Sequence, residues 1–168
     1  MNKPLSWFVV TVLAFIAYIV FTGSITPYDI VTGIAVSLVV GGLFASITVE
    51  NPGKVFNPAR WAYLIAYALY YFFVAEVKSH LDVMYRILHP RMPVNPGIVR
   101  VPYDVESDYA ITAVANSITN TPGTVVVDIK PDKKLFYVHW INVETTDPYE
   151  ARKKISLAFE EYAKKVFD

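Results

Sequence analysis

Two long uncharged apolar runs near the N-terminus constrain this chain more than any other feature. Residues 5–21 and 30–47 contain no Asp, Glu, Lys, Arg or His. At about 1.5 Å per residue, either run as a helix crosses most of a hydrocarbon core about 30 Å thick. The first run alone also fits a cleaved signal peptide, since Lys3 precedes it and Gly23 and Ser24 follow it. Because the second run begins after a short loop, we expect a retained helical hairpin.

The charged residues are concentrated in the second part of the chain. Of the thirty Asp, Glu, Lys and Arg residues, ten lie in residues 1–96 and twenty in residues 97–168. This break indicates a membrane part followed by a water-exposed domain. The formal net charge is +0, so the charge balance gives no support for nucleic acid as a partner. The sequence has no cysteine, which excludes disulfides, thiolate metal sites and a cysteine nucleophile.

Small residues recur every fourth position along the second run. They form a single stripe on a helix: Gly33, Ser37, Gly41 and Ala45. Small side chains allow helix backbones to approach closely in lipid, where packing drives helix association. The stripe therefore predicts a helix-packing surface, either for another subunit or for the first helix of this chain.

A third apolar segment, residues 61–75, is short for a span and ends at Glu76. Its tyrosines follow helical spacing on one side: Tyr63, Tyr67, Tyr70 and Tyr71. Tyrosine favours the membrane–water boundary, and the pattern continues as an amphipathic helix to about residue 88. We expect a third helix that is interfacial or partly inserted.

Loop charges predict the orientation. The first loop, residues 22–29, has no Lys or Arg, whereas the second carries Lys54 and Arg60. By the positive-inside rule, the N-terminus and the second loop face the cytoplasm. With two crossings and an interfacial third helix, the C-terminal domain is also cytoplasmic.

The remaining sequence predicts a linker and a small α+β domain. Residues 1–88 are assigned to membrane helices, the proline-rich residues 89–97 to a linker, and residues 98–168 to the domain. Strands are expected at 98–102, 124–129 and 135–143, with Val125, Val127 and Ile129 on one side of the second. One helix follows a cap at Ser107 or Asp104, and another starts at Pro148. The β-α-β-β-α order indicates a ferredoxin-like sandwich without its last strand.

Two expectations concern single faces and turns of this domain. The last helix should have an apolar stripe and a charged outer face, which is: Arg152, Lys153, Lys154, Glu160, Glu161, Lys164 and Lys165. The stretch "NSITNTPGTVVVDI" (116–129) should be a helix end followed by a turn, with Gly123 at positive φ. A phosphate loop has the opposite order, strand then loop then helix, so an anion site is not favoured.

No candidate for catalysis has support beyond residue type. His139 fits a sheet-surface histidine, and a triad with Ser107 and Asp108 has no further support. Glu76 and Asp82 lie at the edge of an apolar segment. A carboxylate there can take part in a proton relay, and Glu76 is the candidate for this role. The alternative is that both are solvated residues at the membrane boundary. Since the two clean runs lack ionisable groups, we expect no ion translocation by this chain alone. We also expect no cofactor, no metal site and no small-molecule substrate of its own.

Four stretches together resemble the E subunit of Mrp-type (Mnh) multisubunit cation/proton antiporters. They are "VAEVKSHLDVMYRIL", "NPGIVRVP", "ESDYAITAVANSITNTPGTVVVDI" and "LFYVHWINV". The most specific combination is "ANSITNTPGT" followed by "YVHW", and the similarity covers roughly residues 55–165. Similar subunits occur in the antiporter-like module of archaeal membrane-bound hydrogenases and related respiratory complexes.

The resemblance implies a small accessory membrane subunit with a cytoplasmic domain and no catalytic residues of its own. Its partners would be the lipid bilayer and other subunits, the large ones moving Na⁺ and H⁺. The sequence leaves open an antiporter or a hydrogenase-type complex. A hypothesis from another class is a stand-alone membrane-anchored sensor or binding domain.

Overall fold

A computed structural model describes residues 3–49 and 51–168 of the chain. The chain forms two compact units that divide between Asn57 and Pro58. Residues 58–88 pack with the C-terminal domain in the second unit.

The first unit is a helical hairpin. Helix α1 spans Lys3–Thr22 and α2 spans Pro27–Thr48, and both are long and apolar enough to cross a membrane. Gly23, at φ +64°, ends α1. Thr26 and Asp29 then form a reciprocal capping box at the start of α2, with Pro27 in its first turn. The turn chemistry between the two runs thus fixes where each helix ends.

The second unit begins with a long helix in three sections. Helix α3 spans Pro58–Tyr70, a π-helical turn spans Tyr71–Ala75, and α4 spans Glu76–Leu88. Residues on both sides of the π-turn keep right-handed helical backbone angles, so the helix continues through it. The predicted linker then follows without regular helix as far as strand β1, Gly97–Pro102.

The second unit continues as a small α+β domain with a three-stranded antiparallel sheet. After β1 come α5 (Asp108–Asn120), β2 (Thr124–Lys130), β3 (Leu135–Trp140), α6 (Pro148–Ile155) and α7 (Leu157–Phe167). The antiparallel sheet has the order β1-β3-β2. Its buried face supplies the centre of the core, where these side chains are fully or nearly fully enclosed: Val99, Val101, Phe136 and Val138.

The side chains of strand β2 do not face the sides of the sheet that the alternation predicted. Val126 pairs with Val138 and Asp128 with Tyr137, so Val127 is an extra residue in a β-bulge. Val126 and Ile129 pack on the core, whereas Val125 and Val127 are 43% and 51% exposed. The alternation of valines suggested one continuous face, and the inserted residue changes which side chains point inward.

The prediction of one last helix is also wrong, because the chain forms two helices there. The chain bends at Ser156, whose backbone angles are φ −121° and ψ −25°. The bend turns Glu160 inward: its side chain is 1% exposed, although it was assigned to the charged outer face. A continuous 3.6-residue period cannot anticipate such a rotation.

Three tyrosines of the long helix pack on the domain: Tyr67, Tyr70 and Tyr71. The Tyr67 ring stacks on Tyr162 at 5.6 Å between centroids, and its hydroxyl lies 2.6 Å from Ser117 Oγ. Tyr70 and Tyr71 contact Phe159 with centroid separations of 6.2 Å. The sandwich is too small to enclose its own core, and these rings complete it.

The turn after α5 matches its prediction. Helix α5 ends at Asn120, and Gly123 has φ +96° before β2 begins. A Cβ atom at Gly123 would lie 3.1 Å from Ile141 Cγ2 and 3.6 Å from Val83 Cγ2 of α4. Glycine is therefore required both by the backbone angle and by the close approach of neighbouring side chains.

We expect Gly123→Val to destabilise the full chain by about 1–3 kcal/mol, the cost of forcing a β-branched residue to positive φ. The matched control is Gly53→Val, because Gly53 has open space around it and no positive φ. The measurement is the denaturation midpoint of the full chain in detergent. Equal midpoints for the two variants would contradict a conformational requirement at Gly123.

Candidate functional site

A groove in the second unit lies between α4, α6 and the turn at Gly123. Its volume is about 420 Å³. Trp140, Ile155 and Phe159 give it an apolar floor. Charged side chains surround this floor: Lys78, Asp82, Arg86, Glu144, Lys153 and Lys154. The groove thus combines an apolar base with a charged rim.

Arg86 anchors the end of α4 to the linker. Its Nε and Nη2 donate to Asp82 Oδ2 and Oδ1 at 2.8 and 2.9 Å, and its Nη1 donates to the Pro93 carbonyl oxygen at 2.6 Å. The Arg86 side chain is only 10% exposed, although the sequence placed it on a polar face. Asp82 is accordingly held in a bidentate ion pair, which accounts for it structurally without a role in proton transfer.

Glu76 occupies the first turn of α4, directly after the π-turn. Its side chain is 17% exposed, and its Oε1 is buried without a hydrogen-bond partner among the described residues. Its Oε2 lies 3.3 Å from His80 Nδ1. Burial raises the pKa of the Tyr71 hydroxyl to about 12, and the neighbouring Glu76 carboxylate adds to the rise. Glu76 is thus a poorly solvated carboxylate beside two proton-carrying groups, and its relay role stays a prediction.

The small-residue stripe of α2 is buried at all four positions: Gly33, Ser37, Gly41 and Ala45. A Cβ atom at Gly33 would lie 2.7 Å from the Tyr18 ring, and one at Gly41 would overlap Thr11 Oγ1. Both glycines therefore face α1. Of the two partners considered for the stripe, the structure places the first helix of this chain against it.

The hypothetical triad is not assembled. Ser107 Oγ accepts from Ala110 N at 3.2 Å as the cap of α5, and it donates to Asp168 Oδ1 at 2.6 Å. His139 is on the central strand, between Ile98 and Val125 and on the face opposite the core residue Val138. Within residues 3–49 and 51–168, no group of three or more His, Asp or Glu side chains could hold a metal ion.

Residues 11–166 match the family model MNHE, described as a Na⁺/H⁺ ion antiporter subunit. The chain belongs to the MNHE family.

Curated members of the MNHE family resemble the chain over most of its length. It is 34% identical over 136 residues to the Na⁺/H⁺ antiporter subunit E1 of Staphylococcus haemolyticus, covering 81% of this chain and 82% of that protein. It is 30% identical over 159 residues to subunit E1 of Staphylococcus epidermidis, covering 95% and 96% of the two chains. The sequence resemblance to antiporter E subunits is therefore confirmed.

A solved structure resembles almost the whole chain. It is a chain of the membrane-bound sulfane sulfur reductase, an archaeal respiratory membrane complex. The identity is 31% and the TM-score 0.84, with 96% of this chain and 99% of that chain covered. The similarity of this MNHE member thus extends to a subunit of a respiratory membrane complex.

The buried position of Glu160 in the MNHE domain was missed at the level of sequence. Its Oε2 accepts from Asp104 N at 2.9 Å and Arg152 Nη2 at 2.8 Å, while its Oε1 accepts from Arg152 Nε at 3.1 Å and Ser156 Oγ at 2.6 Å. One carboxylate thus joins the β1–α5 connection to both C-terminal helices. The spacing of Arg152, Ser156 and Glu160 at four-residue intervals was the available signal.

Proposed function

We propose that this chain is a non-catalytic accessory subunit of a multisubunit ion-translocating membrane complex. The complex would be a Na⁺/H⁺ antiporter or the antiporter-like module of a membrane-bound hydrogenase-type respiratory complex. The observation that carries this proposal is the near-complete match, at TM-score 0.84, to a chain of an archaeal respiratory membrane complex. Antiporter subunits named E1 support the same role.

The exposed apolar surface of the chain supports membrane and subunit partners. Large apolar side chains of the hairpin are exposed on both helices, with Phe8 at 52% and Val39 at 61%. In the second unit, Phe72 and Phe73 of the π-turn are 63% and 71% exposed. Contiguous surfaces of this kind are unfavourable in water and indicate lipid or other subunits as covering partners.

We infer further that the third helix is interfacial or partly inserted. The outward side chains of α4 are apolar and half exposed, with Val77 at 50%, Leu81 at 53% and Met84 at 49%. A helix with one apolar and one charged face lies in the plane of the membrane boundary. The tyrosine face of α3 packs on the domain, so insertion would involve the opposite side of the helix.

The orientation proposed from the loop charges places the second loop and the C-terminal domain in the cytoplasm. Single substitutions Lys54→Cys and Lys133→Cys should therefore be labelled by an impermeant maleimide from the same side of the membrane. The exposed Ile25→Cys, in the first loop, is the opposite-side control. Labelling of Lys54→Cys and Lys133→Cys from opposite sides would show that the third helix crosses fully.

The accessory role is tested first by purification in mild detergent. We expect the tagged chain to bring down a large membrane complex. A lone monomer or homodimer would favour the alternative, a stand-alone membrane-anchored sensor or binding domain.

Transport activity, normalised to the amount of intact complex, tests whether any side chain of the domain takes part directly in transport. His139→Gln and Ser107→Ala should leave normalised activity within about twofold of wild type, because His139 is a sheet-surface residue and Ser107 a helix cap worth about 1 kcal/mol. Glu76→Gln is measured in the same way. A selective loss of normalised activity in Glu76→Gln would place this carboxylate in a proton path, and such a loss in His139→Gln would refute the accessory role.

A further inference from the structure

We propose that the groove beside α4 binds the phosphate headgroup of an anionic phospholipid, whose acyl chains lie along the outward apolar face of α4. This inference rests on the proposed interfacial position of α4. It goes further by assigning a lipid class and the side chains that recognise it.

The charges of the rim favour an anion. Four cationic and two anionic side chains line the groove, which leaves an excess of positive charge. Arg86 is paired with Asp82, and Lys154 Nζ contacts Glu144 Oε2 at 2.7 Å. Lys153 contacts the exposed Glu150, in a surface pair of little energetic weight. Lys153 is therefore available for a second anionic partner.

Lys78 is a groove cation that is available for an anionic partner. It lines the groove and is exposed, and it makes no ion pair with any residue that the structure describes. Lys153 and Lys154 of α6 lie on the same rim. A phosphate group accepts several donors at once and suits such a set of lysines.

The position of Lys78 on α4 favours a lipid over a soluble anion. Lys78 and Asp82 lie on the groove side of the helix, one turn apart. Val77 and Leu81, each one position earlier, lie on the exposed apolar side. Lys78 thus stands at the border between the two surfaces, where a headgroup and its acyl chains would meet.

The apolar side chains at the bottom of the groove do not suit an acidic peptide as the occupant. Trp140, Ile155 and Phe159 are apolar, and the neighbouring Thr121 and Thr124 hydroxyls already donate to backbone carbonyl groups. A buried peptide would leave its backbone donors and acceptors without partners on such a floor. A lipid brings polar groups only to the rim.

The test uses the intact complex in nanodiscs of phosphatidylcholine with one quarter phosphatidylglycerol, the latter carrying a photoactivatable headgroup. We expect cross-links to peptides that contain Lys78 and Lys153. Lys78→Gln should reduce the yield about fivefold, the effect of one cation near an anionic surface. Lys78→Gln/Lys153→Gln/Lys154→Gln should reduce it further. Lys133→Gln, an exposed lysine outside the groove, is the matched control.

Other results would overturn the lipid site or identify a different occupant of the groove. Cross-links elsewhere on the subunit, or equal yields for Lys78→Gln and Lys133→Gln, overturn the lipid site. Loss of labelling on addition of inorganic phosphate shows a free-anion site instead, and cross-links from the groove to an acidic segment of another subunit show a protein occupant. If the complex is intact on native gels while the groove is unlabelled, only this inference fails. If no complex is found, the accessory function itself fails.

Discussion

Glu160→Ala is expected to lower the free energy of unfolding by about 3 kcal/mol, the lower end of the effect of breaking a buried ion pair. The lower end applies because Arg152 is 22% exposed and can reach water when its partner is removed. The backbone N–H of Asp104 and the hydroxyl of Ser156 also lose their acceptor. The measurement is chemical unfolding of the full chain in detergent, followed by tryptophan fluorescence.

Glu161→Ala is the matched control for this prediction. Glu161 is the next residue and is exposed, so its removal should change the unfolding free energy by less than about 0.5 kcal/mol. Glu160→Gln should lie between the two, since an amide keeps one acceptor but cannot pair with a guanidinium. If Glu160→Ala were as stable as Glu161→Ala, the carboxylate network would not be what holds the C-terminal helices together.

Gly41→Leu is expected to have the second largest effect, through the hairpin. Its side chain would collide with Thr11 and approach the Trp7 carbonyl oxygen, for which a Cβ alone is 3.2 Å away. Overpacking of this kind costs about 1–3 kcal/mol, so assembled complex on native gels should fall by about tenfold. Gly42→Leu is the control, because nothing lies within 4 Å of a Cβ at Gly42.

A second readout distinguishes the hairpin from a subunit contact. In this cysteine-free chain, Ser6→Cys and Val49→Cys place thiols on two neighbouring residues, since the Ser6 Oγ lies 3.2 Å from the backbone carbonyl oxygen of Val49. A short bifunctional maleimide should join them in wild-type background and much less in Gly41→Leu. Unchanged cross-linking with lost assembly would instead place another subunit against the stripe.

Periodicity and turn chemistry were sufficient to predict most elements of this fold. The two apolar runs became α1 and α2, the Ser107 cap starts α5, and Gly123 adopts the positive φ expected of the turn. These features depend on residues close together in sequence. Local physical rules therefore determine them without knowledge of the tertiary structure.

The failures share a different cause, because each depends on contacts distant in sequence. The bulge at Val127 is defined by pairing with β3, and the buried Glu160 accepts from the Asp104 N–H, 56 residues earlier in the chain. Tyr67 has a membrane-interface pattern by itself, yet Ser117 and Tyr162 place it in the domain core. The groove likewise joins α4 to α6, which no short pattern connects.

Strand β2 is an outer strand of the sheet, and its sequence, three valines followed by Asp-Ile-Lys, has the composition of segments that pair with copies of themselves. The bulge twists this edge, and the Asp128–Lys130 ion pair at 2.8 Å places two charges beside it. Twisted and charged edges resist addition of another strand. A newly made subunit exposes its apolar surfaces until it binds its partners. We therefore expect the additional residue in β2 to disfavour pairing of this edge with another copy before assembly.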